Sequence, residues 1–294
     1  MKALSLAICF FALLAPNEAW AGGLKLHFID CKEGDATLIE WEGGQREFIL
    51  VDTGNPVTGH SVLEYLRKTG VRRLEAVVIT HPHMDHAGGL FQIAQSVNTI
   101  ALYDNGEDLD NFPGRNNNHR WYKEFLASRP QSASLKAGDS LSLGGEVKLK
   151  VLWPPENGFD HKYANARSLV IMVEHGKFRA LLAGDLIIPA EQALAGSEAS
   201  LKAHVLKAGH HGADDTGSGM FLARVSPEVV VVSVNAGNVR GYPDRDVIMR
   251  MERNGARVYR TDENGTILLK ADASGEYEVI TSRQVAGQDS QRDE

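Results

Sequence analysis

The pattern of apolar and polar positions predicts a strand-rich start to the chain. β-branched and apolar residues cluster or alternate in three short runs that we interpret as paired strands, Leu24–Ile29, Ala36–Trp41 and Glu47–Val51. The apolar residues within Gly59–Lys68 have helical spacing, and the glycine that follows predicts the end of that helix. The next apolar run, Leu74–Ile79, predicts a buried strand.

The rest of the chain continues with strands and helices in both halves. Beyond Tyr103 a polar stretch rich in glycine and asparagine extends to Arg120, and its composition predicts a loop that could cover a functional site. Helical and strand periodicity predict the remaining elements. The predicted helices are Leu90–Val97, a helix that follows Arg120 and ends at Ser128, and Asp244–Arg253. The predicted strands are two within Ser140–Trp153, a hairpin of Ser168–Glu174 with Phe178–Ala183, Val229–Val234, and strands near Val258, Ile267 and Val279. Two sheets with helices outside, an α/β four-layer αββα sandwich, is the simplest arrangement.

The two ends of the chain differ from this pattern. Lys2, the apolar run Ala3–Ala15 and the small residues around Trp20 are typical of a secretory signal peptide over residues 1–21, with the mature chain starting at Gly22. An uncleaved membrane anchor is the alternative, but the run is shorter than the roughly 20 apolar residues that span a bilayer. We therefore expect an exported protein, periplasmic or secreted, with one domain over residues 22–282 and a polar, disordered tail over residues 283–294.

Composition narrows the class of protein. Hydrophobic residues make up 43% and charged residues 23% of the 294 residues, as in an ordinary soluble globular protein. The formal charge of −7 argues against coating nucleic acid by charge alone, although a local basic cleft remains open. After signal cleavage Cys31 is the only thiol, so no internal disulfide can form, and we expect it to be a small buried residue.

One short segment carries most of the candidate chemistry. Within Thr80–Gly89, directly after the predicted strand that ends at Ile79, the chain has three histidines and an aspartate, which are His81, His83, Asp85 and His86. Imidazole nitrogens and carboxylate oxygens are ligands that suit Zn²⁺, and Mn²⁺ or iron in mixed sites. A chance cluster of surface histidines is the alternative, but the position between a buried strand and a helix favours a metal site.

The HxHxDH string in this segment resembles the hallmark of the metallo-β-lactamase superfamily. Two later motifs are similar to that family as well: Ala183–Leu186 resembles the segment with a carboxylate that bridges two metals, and Lys207–Gly212 resembles its late histidine motif. The resemblance implies two ions, Zn²⁺ with Mn²⁺ as the alternative, and six ligands, namely His81, His83, Asp85, His86, Asp185 and His210. It leaves open which of His210 and His211 is the ligand.

Several segments are similar to one branch of this superfamily, the extracellular hydrolase domain of the DNA-uptake channel protein ComEC. They are Phe28–Ile39, Ile49–Gly54, Asn165–Val170, His210–Gly212 and Val258–Ile267. Cys31 and its two successors depart from that branch, and channel-forming segments are absent from the sequence. The resemblance therefore implies a stand-alone hydrolase, and it does not transfer a role in DNA uptake.

A second departure concerns the first metal. Where β-lactamases have a third histidine, this chain has Asn165, with His161 four residues earlier, so the ligand that completes this site stays open. The resemblance implies a shared water with a pKa lowered toward about 7, which would attack as hydroxide. Asp85 would orient that nucleophile and His211 would contact substrate or protonate the leaving oxygen, unless it only packs behind a ligand.

The leading hypothesis is an exported phosphodiesterase or nuclease whose substrate is nucleic acid or another phosphoester. Two alternatives remain: a hydrolase of a β-lactam, lactone or thioester, and a metal-binding relative without catalysis. Asn165 favours the first over the second. Asp52 could orient a ligand or form a turn, and Arg240, in a loop after an apolar strand, could hold a phosphate or be solvated. The sequence does not indicate the oligomeric state.

Overall fold

The computed structural model describes residues 23–107 and 117–284. The expected signal peptide, residues 285–294 of the expected tail and most of the predicted polar loop lie outside this part of the chain. The strands described are β1 Gly23–Phe28, β2 Thr37–Glu42, β3 Arg46–Val51, β4 Arg73–Val78, β5 Asn98–Asp104, β6 Ser132–Ser134, β7 Ser140–Leu143, β8 Val147–Trp153, β9 Val170–His175, β10 Phe178–Leu182, β11 Val205–Lys207, β12 Val229–Val232, β13 Arg257–Arg260, β14 Ile267–Ala271 and β15 Tyr277–Thr281.

Helices connect these strands. The α-helices described are α1 Gly59–Lys68, α2 Met84–Ala87, α3 Leu90–Ser96, α4 Asn117–Ala127, α5 Ile188–Ala195, α6 Gly219–Val225, α7 Arg245–Arg253 and α8 Thr261–Asn264. Two short 3-10 turns lie at Ala164–Arg167 and Gly209–Gly212. Helix α7 begins as the sequence predicts, because the Asp244 side chain accepts hydrogen bonds from the backbone N–H groups of Asp246 and Val247.

The strands form two mixed sheets. The first has the order β15-β14-β1-β2-β3-β4-β5-β6, and the second has the order β13-β12-β11-β10-β9-β8-β7. Strands β3 to β6 are parallel in the first sheet, and β10 to β13 are parallel in the second. Since the carboxyl ends of parallel strands lie at one edge of a sheet, the loops that follow them can build a common site.

Three apolar layers hold the sheets and helices together. The inner faces of the two sheets pack on each other through residues such as Ile39, Val78, Ile171 and Val231. Helices α1 and α3 cover the outer face of the first sheet, and α5, α6 and α7 cover that of the second. The predicted αββα sandwich is confirmed.

The structure also describes the environment of Cys31 and the length of the helices. Cys31 is buried with 2% of its surface exposed, as predicted. Burial raises the pKa of its thiol far above the usual range, so it is protonated at neutral pH. Among the described helices, none has the length and apolar character that crossing a membrane requires.

Candidate metal centre

The candidate site lies where the loops after parallel strands of both sheets meet. The loop after β4 carries the HxHxDH segment, and the loop after the neighbouring β3 carries Asp52. In the second sheet, Asp185 follows β10, and the 3-10 turn with His210 and His211 follows β11. The fold therefore brings together residues that are more than 100 positions apart in the sequence.

A first pocket is formed by His81, His83 and Asp185. The Nε2 atom of His81 lies 3.0 Å from Nδ1 of His83 and 3.7 Å from Oδ2 of Asp185. One ligand atom from each residue lies within 4.8 Å of the others. His81 is fully buried, so its imidazole is shielded from solvent.

A second pocket adjoins the first and is formed by Asp85, His86 and His211. The Nε2 atom of His211 lies 3.6 Å from Oδ2 of Asp85, and one ligand atom from each of the three residues lies within 4.8 Å of the others. Asp185 contributes here as well, because its Oδ1 lies 3.1 Å from Nε2 of His86 and 3.6 Å from Nε2 of His211. Its carboxylate thus lies between the two pockets.

Hydrogen bonds behind the pockets orient their imidazoles. Asp52 Oδ2 accepts a hydrogen bond from Nδ1 of His86 at 2.8 Å, while Asp52 also accepts from the backbone N–H and hydroxyl of Thr80. Nδ1 of His211 donates to the carbonyl of Ser233 at 3.0 Å, since a carbonyl can only accept. These bonds leave the Nε2 atoms of both histidines directed at the pocket. Asp52 therefore orients the imidazole of His86, a candidate ligand.

The unpaired atoms of the cluster fit a bound cation. Nε2 of His86, Nε2 of His211 and Oδ1 of Asp185 are buried and have no hydrogen-bond partner. Leaving buried polar atoms unpaired is costly in free energy, and coordination of a cation would pair all three. A set of imidazole nitrogens and carboxylate oxygens suits a divalent ion such as Zn²⁺ or Mn²⁺.

The charges of the cluster are strongly coupled. Burial opposes charging of His86, but the carboxylates of Asp185 and Asp52 outweigh it and raise the pKa of His86 well above its usual range. Burial likewise opposes ionisation of Asp185, yet the neighbouring imidazoles hold the pKa of its carboxyl well below the usual range. For His81, burial and the imidazoles of His86 and His83 lower the pKa, which favours the neutral form that a metal requires.

The two adjacent histidines of the late motif lie in different environments. His211 is buried in the second pocket, whereas His210 lies at the rim, with its Nδ1 2.6 Å from Oδ1 of Asp215 and its Nε2 4.0 Å from Oδ2 of Asp185. Both have positive φ, 41° and 53°, a conformation that non-glycine residues rarely adopt. The structure thus brings His211 together with Asp85 and His86, and the ligand role of His210 stays a prediction.

Of the two candidates for completing the first pocket, only Asn165 is buried. It lies in the 3-10 turn, and its Oδ1 is a further buried atom without a partner. The same turn supports Asp185, because Ser168 N–H donates to the carbonyl of Asn165 while Ser168 Oγ accepts from the backbone N–H of Asp185. His161 is half-buried, and its Nδ1 accepts from the backbone of Tyr163. Which of the two serves the metal stays open.

A cleft of about 200 Å³ leads to the second pocket. Its walls are the loop at Glu33 and Gly34 on one side and the loop after β12 on the other, with Asp85 and His211 among the lining residues. Nη1 of Arg240 lies 3.6 Å from Oδ2 of Asp85, and 51% of the Arg240 side chain is exposed. The structure therefore places a cation at the entrance to the candidate metal centre.

Sequence comparisons identify the family of the chain. The family profile described as Metallo-beta-lactamase superfamily matches residues 29–234. ComE operon protein 3 of Bacillus subtilis is 28% identical over 262 residues, covering 83% of this chain and 32% of that protein. Recombination protein 2 of Haemophilus influenzae is 29% identical over 268 residues, covering 88% of this chain and 30% of that protein. The chain thus spans about a third of the length of these relatives.

A solved structure shows the same fold. The metallo-beta-lactamase fold protein YhfI of Bacillus subtilis superposes with a TM-score of 0.53 at 12% sequence identity, covering 87% of this chain and 99% of that chain. At this identity the likeness concerns the fold alone. The fold implies divalent metal ions, and the clustered histidines and aspartates provide candidate ligands for them.

Proposed function

The chain belongs to the metallo-beta-lactamase superfamily, and we propose that it is an exported, metal-dependent phosphodiesterase that acts on nucleic acid or another phosphoester. The observation that carries the substrate class is the position of Arg240, 3.6 Å from the Asp85 carboxylate at the mouth of the cleft. Export rests on the amino-terminal sequence pattern.

The residues of the two pockets have distinct roles in this proposal. Two divalent ions, for which we propose Zn²⁺, would supply a hydroxide nucleophile and neutralise charge on the phosphoryl oxygens. His81 and His83 would hold one ion, His86 and His211 the other, and Asp185 would contact both. Asp85 would hold the second ion and orient the attacking water, because its ionised carboxylate faces the cleft.

The loop after β12 supports binding of an anionic substrate. Asn238 fixes this loop, since its Nδ2 donates to the carbonyls of Asn235 and Tyr242 while its Oδ1 accepts from the backbone N–H of Tyr242. These hydrogen bonds hold the backbone on both sides of Arg240 together. A guanidinium offers paired donors that match phosphate oxygens, and a β-lactam or lactone has no comparable charge at the bond that is cleaved.

The relatives support nucleic acid as one form of this substrate. One relative takes its name from the ComE operon and the other from recombination. This chain corresponds to about a third of the length of each relative, so we only propose, for this chain, an activity that the whole relatives could have.

The proposal can be tested with the purified mature chain loaded with Zn²⁺ or Mn²⁺. We expect hydrolysis of bis-p-nitrophenyl phosphate and of single-stranded DNA, together with about two metals per chain by plasma mass spectrometry. A chelator should abolish the activity and added metal should restore it. Hydrolysis of a chromogenic cephalosporin, a lactone or a thioester without phosphodiester cleavage would contradict the proposal and favour an acyl substrate. Bound metal with neither activity would favour a metal-binding relative without catalysis.

Replacing Arg240 with alanine should weaken substrate binding more than chemistry. We expect KM for bis-p-nitrophenyl phosphate to rise about tenfold, with a smaller change in kcat, because the lost charge-assisted hydrogen bond is half exposed to solvent. Arg245→Ala is the matched control, since Arg245 is an exposed arginine five positions further along the chain. Equal KM values for the two variants in steady-state assays would remove Arg240 from substrate binding.

A further inference from the structure

A buried ion pair lies directly behind the second pocket. The Nζ atom of Lys207 donates hydrogen bonds to Oδ2 of Asp35 and to the carbonyl of Ala208. Only 2% of Lys207 and 3% of Asp35 are exposed. Asp35 precedes β2 in the first sheet, and Lys207 is the last residue of β11 in the second, so the pair links the two sheets at the edge where the site lies.

The backbone around each partner leads to a pocket residue. The N–H of Asp35 donates to the carbonyl of Asp85 at 3.1 Å. A Cβ on Gly34 would lie 1.9 Å from that same carbonyl oxygen, so only glycine permits this close approach. On the other side, Lys207 is four residues before His211. The pair therefore fixes the spacing between two elements that each carry one residue of the second pocket.

The Asp35 carboxylate itself faces the cluster. One of its oxygens lies within 4.8 Å of ligand atoms of both Asp185 and His211, and also groups in this way with Asp52 and His86. Its Oδ1 is buried and has no hydrogen-bond partner. A charged oxygen with this environment interacts with any cation in the pocket through a medium of low dielectric constant.

We propose that Asp35 and Lys207 are a positioning pair that sets the affinity of the second pocket for its divalent ion. Four carboxylates surround the centre, those of Asp35, Asp52, Asp85 and Asp185. Lys207 cancels one of these four negative charges, so three remain when the imidazoles are neutral. These three charges favour binding of divalent cations, and removal of Lys207 would add a fourth. This inference rests on the metal centre of the proposed function and is independent of the substrate.

A pair that only joins the two sheets, a structural tie, and a pair that sets the charge of the pocket predict different results. If the pair only joins the two sheets, removing either partner should destabilise the fold and weaken metal binding in the same direction, because a buried partner is left uncompensated. If the pair sets the charge of the pocket, the two removals should change metal affinity in opposite directions. Restoring the balance by removing both charges should bring the affinity back toward that of the wild type.

The experiment compares wild type, Asp35→Asn, Lys207→Met and the double variant. Affinity for Zn²⁺ alone is measured by competition with a chromophoric chelator, and the Zn²⁺-induced shift in Tm is measured above neutral pH, where carboxylates are ionised. We expect about tenfold weaker binding and a smaller Tm shift for Asp35→Asn. Lys207→Met should bind about tenfold tighter with a larger Tm shift, and the double variant should lie within about threefold of wild type.

Weaker binding in both single variants would overturn the inference and leave the pair a structural tie. If Lys207→Met fails to fold, Lys207→Gln carries the same test, because it also removes the charge while keeping a hydrogen-bond donor, and it must bind Zn²⁺ more tightly than the wild type. Wild-type protein that binds no Zn²⁺ would overturn the inference too. Opposite shifts in affinity in a protein that cleaves no phosphodiester would support the pair while refuting the proposed substrate class.

Discussion

Replacement of Asp185 by asparagine is expected to lower kcat/KM for bis-p-nitrophenyl phosphate about a thousandfold or more. The Asp185 carboxylate lies between the pockets, within 4 Å of His81 and of both His86 and His211. Asparagine keeps the shape but removes the negative charge, so both ions would lose a ligand and the nucleophile would lose its activation. Steady-state kinetics with metal content by plasma mass spectrometry would measure both effects, and we expect fewer than two metals per chain.

Asp214→Asn is the matched control for this substitution, because it makes the same chemical change at an exposed aspartate. Folding of both variants can be compared by circular dichroism. Since the pKa of Asp185 is held well below the usual range by neighbouring imidazoles, the variant also alters their protonation when no metal is bound. Two tightly bound metals with near-normal kcat/KM in Asp185→Asn would contradict the placement of this carboxylate at the centre.

Much of the fold follows from local sequence patterns. The helix α1 and the hairpin of β9 and β10 lie where the periodicity predicts them. In such elements the spacing of the apolar residues identifies both the type of element and the face that is buried. Short or uniformly apolar elements are missed, such as β11 with three residues and α5 with the sequence IPAEQALA. Their structure depends on packing between distant segments, which a local pattern does not contain.

The sequence likewise predicts only those site residues that are close together along the chain. The HxHxDH string identifies four residues because they are close together in the sequence, whereas Asp35 and Lys207 meet only through the fold. A lysine within an apolar strand was the available signal, but its carboxylate partner is 172 positions away. Likewise, neither composition nor spacing distinguishes His210 from His211, because the backbone conformation of the 3-10 turn decides which imidazole points inward.

Because only His211 points inward, His211→Ala and His210→Ala are expected to differ in activity and in metal content. His211→Ala should lower kcat/KM about a hundredfold or more and leave about one metal per chain, because its Nε2 faces the second pocket. His210→Ala should cost about tenfold or less and keep two metals, since His210 contacts Asp215 at the rim. Metal content, kinetics and circular dichroism on both variants separate loss of a ligand from loss of folding.

Each histidine variant serves as the control for the other, because the two residues are adjacent and share an unusual backbone conformation. Both substitutions place an alanine at a positive-φ position of the same turn, so their effects on the backbone should be similar and a difference in metal content must come from the imidazoles themselves. Loss of a metal in His210→Ala, with two metals retained in His211→Ala, would reverse the assignment and return the ligand role to His210. His211 would then be free to contact the substrate or to protonate the leaving oxygen.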